Sequence, residues 1–334
     1  MPVRRFRHGQ RSDRVNDRMH GRSSVLMIAF AALATCTATP PQASTPARSA
    51  PVLTERTVIT PAPARSTTAP VESMRPDFWF STPAIQGGLV TARAPSGARA
   101  VLFNGVELPL TAEGFFLIGF DRDAENSASL VALFSDGQRK EHYLPVAPGN
   151  WKIEHVAANP TGGAKTTEEF QARRGPELAR INAARATRVA SDGWRQNFIR
   201  PVAGRISGLF GAQRIYNGTP GSYHSGMDIA APNGTPFVAP ADGVVTLAAA
   251  EDVFTLEGHL LMIDHGMGLN SAFLHCSELL VREGDVVKQG QVIGKVGATG
   301  RASGPHLHWG MKWNSARIDP RLVISAVSPS GNGP

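Results

Sequence analysis

The sequence predicts a mostly β protein: an antiparallel β-sheet domain towards the end of the chain, preceded by a small β-sandwich, a short helical connector and a disordered N-terminal linker. Three observations carry this. Short apolar runs alternate with turn signals such as Asn104-Gly105 and Asp136-Gly137. The pairs His224/Asp228 and His306/His308 have spacings that share a face on extended chain, and Pro232 with its neighbouring glycines argues against a helix there. Sustained helix-forming composition occurs around Thr167–Arg185.

In chain order, residues 1–36 read as a secretory signal peptide. An Arg-rich segment over 4–22 precedes the apolar run Val25–Leu33, which is too short to span a bilayer comfortably. Met19 offers a second, more compact start. Leu33-Ala34-Thr35-Cys36 resembles a bacterial lipobox, with Cys36 as the residue that would carry a lipid anchor to the membrane. Thr35 departs from the usual Gly, Ala or Ser. The expected address is the periplasm of a Gram-negative bacterium; Thr37 after Cys36 is compatible with an outer-membrane lipoprotein.

Residues 37–75 are rich in Pro, Ala, Ser and Thr and lack any helical or strand period, so a disordered linker is expected. As a flexible coil it would reach roughly 35 Å. The formal net charge of +7 is confined to this front part: residues 1–75 hold eleven Arg against four acidic residues, and the remainder is balanced at 23 of each sign. The globular part therefore has no excess charge for tracking phosphates, and nucleic acid is excluded as a partner. The 42% hydrophobic content suffices for packed cores. With only Cys36 and Cys276 there is no disulfide framework, and Cys276 reads as a small buried apolar residue.

Residues 76–155 form the predicted sandwich, with strands at Leu89–Ala92, Ala100–Phe103, Phe115–Ile118 and Leu130–Phe134, immunoglobulin-like in general plan. Residues 156–200 form the helical connector. Thr167-Glu168-Glu169-Phe170 gives it a capping-box-like start, Gly175-Pro176 is expected to break it in two, and its Glu and Arg residues are expected to form a solvated face. Residues 201–325 return to β structure, with strands at Val244–Leu247, Leu260–Asp264, Ser271–His275 and Leu307–Met311. Residues 326–334 make a disordered tail.

The chemistry-bearing residues fall in this last domain. Three protein ligands of the His/Asp type, with a fourth position left for water, are the signature of a catalytic zinc ion rather than a structural one. Mixed His/Asp ligation also suits zinc better than Ca²⁺ or Mg²⁺. Between the two motifs lie Ile263-Asp264-His265-Gly266, Phe273-Leu274-His275, Gly290-Gln291-Val292-Ile293-Gly294 and Gly297-Ala298-Thr299-Gly300, and Asp228-Ile229-Ala230-Ala231-Pro232 follows the first. In that order and spacing, residues 201–322 resemble the lysostaphin-type (LytM-like) zinc endopeptidases of peptidoglycan.

The resemblance implies that His224, Asp228 and His308 bind Zn²⁺. It also implies that His275 and His306 serve as catalytic histidines, sharing proton transfer and oxyanion stabilisation. It implies a substrate among peptidoglycan peptide cross-links, with D-alanyl–meso-diaminopimelate bonds fitting the Gram-negative context better than pentaglycine. Cell-division proteins or cell-wall amidases would be partners. The alternative is a non-catalytic peptidoglycan-binding activator of amidases; retention of all five polar positions favours the enzyme. Trp309-Gly310 departs from the aromatic-Glu pair of many relatives. Asp264 is expected to brace the turn into Gly266, and His259 to be a surface or supporting residue.

Overall fold

The computed structural model describes residues 77–158 and 167–325; the expected signal peptide with Cys36, the 37–75 linker and the 326–334 tail lie outside them. Nine short strands come first: β1 (Trp79–Phe80), β2 (Ala84–Ile85), β3 (Leu89–Arg93), β4 (Ala98–Phe103), β5 (Val106–Leu108), β6 (Phe115–Gly119), β7 (Ser127–Phe134), β8 (Arg139–Ala147) and β9 (Ile153–Val156). Strands β1, β3 and β6 make one sheet, and β2, β8, β7, β4 and β5 another. Both bury alternate residues, Val90 and Ala92 from the first sheet and Ala128, Leu130, Ala132 and Phe134 from the second, into a common core. The Asn104-Gly105 turn closes β4 onto β5 with both residues at positive φ, 47° and 82°, the geometry its sequence favours.

Helix α1 (Glu168–Ala186) follows, and here one expectation fails and another holds only in part. The helix runs unbroken through Pro176. A proline inside a helix costs about 3 kcal/mol, but the residues around it are anchored to the neighbouring sheet and offset that cost. Arg174 pairs with Glu257 at 2.6 Å, while Glu177 accepts from the backbone N–H and hydroxyl of Thr255 at 2.7 and 2.6 Å. The solvated face holds only in part: Glu168, Glu169, Arg173 and Arg180 are exposed, but Arg174 and Glu177 are largely buried. The Thr167 side chain caps the start of α1 by accepting from the Phe170 N–H, as the sequence suggests.

The remaining strands are β10 (Arg205–Gly208), β11 (Gln213–Tyr216), β12 (Thr219–Pro220), β13 (Met227–Ala230), β14 (Pro236–Val238), β15 (Gly243–Phe254), β16 (Gly258–Asp264) and β17 (Leu269–Cys276). Then come β18 (Glu278–Leu279), β19 (Val286–Val287), β20 (Val292–Lys295), β21 (His306–Trp313) and β22 (Ala316–Ile318), followed by helix α2 (Pro320–Ser325). Eight of them form one antiparallel sheet in the order β10-β13-β21-β17-β16-β15-β19, with β22 on β21. Along β21, Leu307, Trp309, Met311 and Trp313 point into the main core, so His306, His308, Gly310 and Lys312 share the opposite face. Farther across the sheet, on β15, β16 and β17, that opposite face carries Leu247, Ala249, Leu260, Met262 and Ala272, against which α1 packs Ile181 and Ala184.

The sandwich and the large sheet are fastened together. Phe103 makes edge contacts with Phe120 and Trp313, and the main core runs without interruption from Phe78 to Val323. Arg122, 6% exposed, reaches from the sandwich to the Gly211 carbonyl and the Gln213 side chain, and lies over the rings of Trp151 and Tyr223.

Candidate metal centre

The centre lies where the loop before β13, β13 itself and β21 meet. Asp228 on β13 pairs directly with His308 on β21, so their side chains stand side by side on the open face of the sheet. His224, four residues earlier, is held by two backbone hydrogen bonds: its N–H donates to Ala212, and its carbonyl accepts from Gly211. Two glycines make room for this approach. A Cβ on Gly226 would come within 2.6 Å of His308 Nε2, and one on Gly208 would come within 2.8 Å of the Asp228 carboxyl carbon.

Three electron-pair donors converge. His224 Nε2 lies 3.1 Å from Asp228 Oδ1 and 3.1 Å from His308 Nδ1, and His308 Nδ1 lies 2.9 Å from Asp228 Oδ1. A carbonyl can only accept, so the 3.0 Å contact of His224 Nδ1 with the Leu209 oxygen puts the proton on Nδ1 and leaves Nε2 bare. Ligands about 2.0–2.1 Å from one ion would stand about 3.3 Å apart, close to the observed triangle. Two imidazoles and a carboxylate in this arrangement fit a borderline divalent cation.

Electrostatics follow from the same contacts. Burial opposes the Asp228 carboxylate, but the adjoining imidazoles of His224 and His308 outweigh it and hold the group well below the usual range. Burial also opposes charge on His224, yet Asp228 raises its pKa overall; the more enclosed His308 is lowered by burial.

The two further histidines stand beside this triangle. His306 Nδ1 donates to the Gly304 carbonyl at 2.8 Å, leaving Nε2 free 3.8 Å from Asp228 Oδ1. His275 Nδ1 donates to the Thr299 carbonyl at 2.8 Å, and its ring lies 4.9 Å from that of His306. Burial lowers the pKa of His275. His275 has φ of +64°, an uncommon conformation for a side-chain-bearing residue, which turns it out of the strand alternation towards the site. The structure thus brings all five sequence-predicted positions together, in a groove of about 620 Å³ also lined by Tyr223, Glu257, Arg301 and Ser303.

Residues 222–320 match the sequence profile of peptidase family M23. These residues are an M23 peptidase domain. The chain is 42% identical over 100 residues to the DD-carboxypeptidase/endopeptidase Mpg of Neisseria meningitidis, spanning 30% of this chain and 22% of that protein. It is 38% identical over 120 residues to the peptidoglycan DD-endopeptidase ShyC of Vibrio cholerae, spanning 36% of this chain and 27% of that protein. The chain thus spans about a quarter of the length of these relatives. Similarity to the crystal structure of an M23 peptidase from Pseudomonas aeruginosa extends into the sandwich region: it covers 73% of this chain and 96% of that one, at 28% identity and a TM-score of 0.57.

Around the M23 centre, sequence reasoning missed a buried relay behind His308. Trp309 Nε1–H donates to Ser271 Oγ at 3.1 Å, Ser271 donates to His265 Nε2 at 2.9 Å, and His265 Nδ1–H donates to the Asp242 carbonyl at 2.8 Å. Every polar group in it is satisfied by a neutral imidazole, and burial pushes the His265 pKa down to about 4. The signal available was a histidine and a serine in otherwise apolar strands. Asp264 braces the next turn, accepting from the Gly266 N–H at 2.8 Å. Cys276 is fully buried, its thiol pushed up to about 12 by burial, and it takes no part in the His/Asp group. His259 contacts the Cys276 carbonyl at 3.1 Å, in a supporting position.

Proposed function

We propose that this chain is an exported, zinc-dependent endopeptidase that hydrolyses peptide cross-links of peptidoglycan at D-alanyl–meso-diaminopimelate bonds. The observation that carries the reading is the His224–Asp228–His308 triangle with two further histidines, each presenting a free Nε2, in an open groove. Relatives named as peptidoglycan DD-endopeptidase and DD-carboxypeptidase/endopeptidase support the substrate class. Export, the periplasmic or outer-membrane address and the Cys36 lipid anchor rest on the N-terminal sequence. Amidase or cell-division partners rest on the family resemblance.

His224 through Nε2, Asp228 through Oδ1 and His308 through Nδ1 would hold the ion. A bound zinc ion supplies a lowered pKa for the attacking water and polarisation of the scissile carbonyl. The protein's own groups do the rest. The Leu209 carbonyl fixes the tautomer of His224, and Asp228 tempers the positive charge of the site. His275 and His306 each have Nδ1 committed to a carbonyl, so proton traffic passes through Nε2: one accepts from the nucleophile, and one donates to the leaving amine or the developing oxyanion.

Purified protein incubated with cross-linked muropeptides tests this. Dimers should disappear with wild type, and persist when zinc is chelated or when His308→Ala is used. His306→Ala should retain one equivalent of metal but lose about 10²-fold or more in kcat. Absence of both zinc binding and cleavage would move the chain to the binding-activator class.

A further inference from the structure

A second cavity, of about 110 Å³, opens beside the metal centre between the C-terminal end of α1 and the sheet; His308 and Ser225 line both it and the groove. Its chemistry is cationic. Asn270 on β17 pairs with Lys312 on β21, and Lys312 pairs with Arg317 on β22, so three polar residues form one row across adjacent strands. Arg185, in the last turn of α1, lines the cavity as well.

Two donors there are spare. The buried Nε of Arg185 and the Nδ2 of Asn270, a residue 2% exposed, have no hydrogen-bond partner. Among the described residues, neither Arg185 nor Lys312 has an ion-pair partner. Glu257 also lines the cavity, but both its oxygens are taken by Arg174, at 2.6 and 2.7 Å. Asp121 already accepts from Tyr223 Oη and the Arg317 N–H, both at 2.9 Å. Cations collected without counter-charge around buried donors cost stability and specify an anion. Burial, together with Arg185 and Arg317, pushes Lys312 down to about 8, as expected of an ammonium lacking its partner.

We propose that the cavity formed by Arg185, Asn270, Lys312 and Arg317 is a substrate subsite that receives a free carboxylate of the cross-linked peptide and so selects acidic stem peptides over neutral ones. This rests on the peptidase reading above. Gly310 lies between His308 and Lys312 on the same strand face, leaving a side-chain-free floor between the two sites. His308 and Lys312 are four strand positions apart, about 13 Å between Cα atoms. A peptide with its scissile carbonyl at the metal centre thus reaches the row with a carboxylate about four extended residues away. A glycine bridge has no carboxylate to offer there.

Cleavage should be compared on two synthetic cross-linked dimers, one with free carboxylates and one with those groups amidated, using wild type, Lys312→Gln and Arg185→Gln. Wild type should prefer the acid form by about ten- to hundred-fold in kcat/KM, the range of a charge-assisted hydrogen bond. Each variant should lose most of that preference, kcat/KM falling far more on the acid form than on the amide. Equal wild-type rates on both dimers, or variants that keep the preference, would overturn the subsite.

If wild type cleaves neither dimer, the peptidase reading is what fails. Calorimetric binding of the uncross-linked stem peptide, acid against amide, to wild type and Lys312→Gln then decides the subsite separately. Tighter acid binding that the substitution removes supports it, and equal binding refutes it.

Discussion

Single residues set the geometry of the metal centre, and two of them have no side chain. Gly226 lets the chain pass within 2.6 Å, measured from the Cβ it lacks, of His308 Nε2, with the Trp309 carbonyl at 2.7 Å on the other side. A methyl group there must displace a proposed ligand or the β21 backbone. Gly226→Ala is therefore expected to cut zinc stoichiometry, read by metal analysis after dialysis, while near-ultraviolet circular dichroism stays native. Retention of a full equivalent of zinc would show that the loop yields more easily than the contacts suggest. At this scale the grouping of His306 with His308 was legible because strand alternation places both rings on one face, and the resemblance then implied which residues of the group are ligands. His275 was legible only through resemblance, since its positive φ defeats the alternation that strand reasoning uses. Arg185 and Lys312 were not legible, because they meet across more than a hundred residues and neither spacing nor composition links them.

Among elements, α1 departs furthest from its sequence-based description. Pro176 signals a break, and the alternation of charged and small residues signals a solvated helix; both signals are local, and tertiary contacts override the first throughout and the second at Arg174 and Glu177. Glu177 shows how. Burial works against its carboxylate, but bonds from Thr255 and Arg174 outweigh that and lower its pKa. Thr255 and Glu257 sit at the turn joining β15 to β16, and the Glu257 carbonyl accepts the N–H of His275. The helix is thereby linked to a proposed catalytic histidine through one turn. Glu177→Ala should cost about 1–3 kcal/mol in urea unfolding, the range for losing hydrogen bonds to a charged group. Hydrogen exchange should quicken in α1 first. The β elements were easier to read, because a turn such as Asn104-Gly105 specifies its own backbone and alternation specifies its own face.

For the whole molecule, one core joins the sandwich to the M23 domain, and Arg122 bridges them from a buried position. Unfolding is thus expected as a single transition whose pH dependence carries the signature of the deepest titratable group, His265. In the folded protein this imidazole stays neutral down to about 4, against 6.5 for an ordinary histidine. Between those values the unfolded chain binds a proton that the folded chain refuses, so stability rises with pH across the window. The contribution is complete above about 6.5 and is lost as pH falls towards 4, amounting to about 3 kcal/mol for a shift of this size. Asp264, raised by its own burial, works in the opposite sense, so the informative quantity is the difference between wild type and His265→Gln. Urea midpoints of the two proteins should differ most above pH 7 and converge towards pH 4. A gap that stays constant through that range would mean that the Trp309–Ser271–His265 relay accepts a proton without cost. That behaviour would require Ser271 to turn its hydroxyl away and accept from both neighbours, loosening the strand that carries His308.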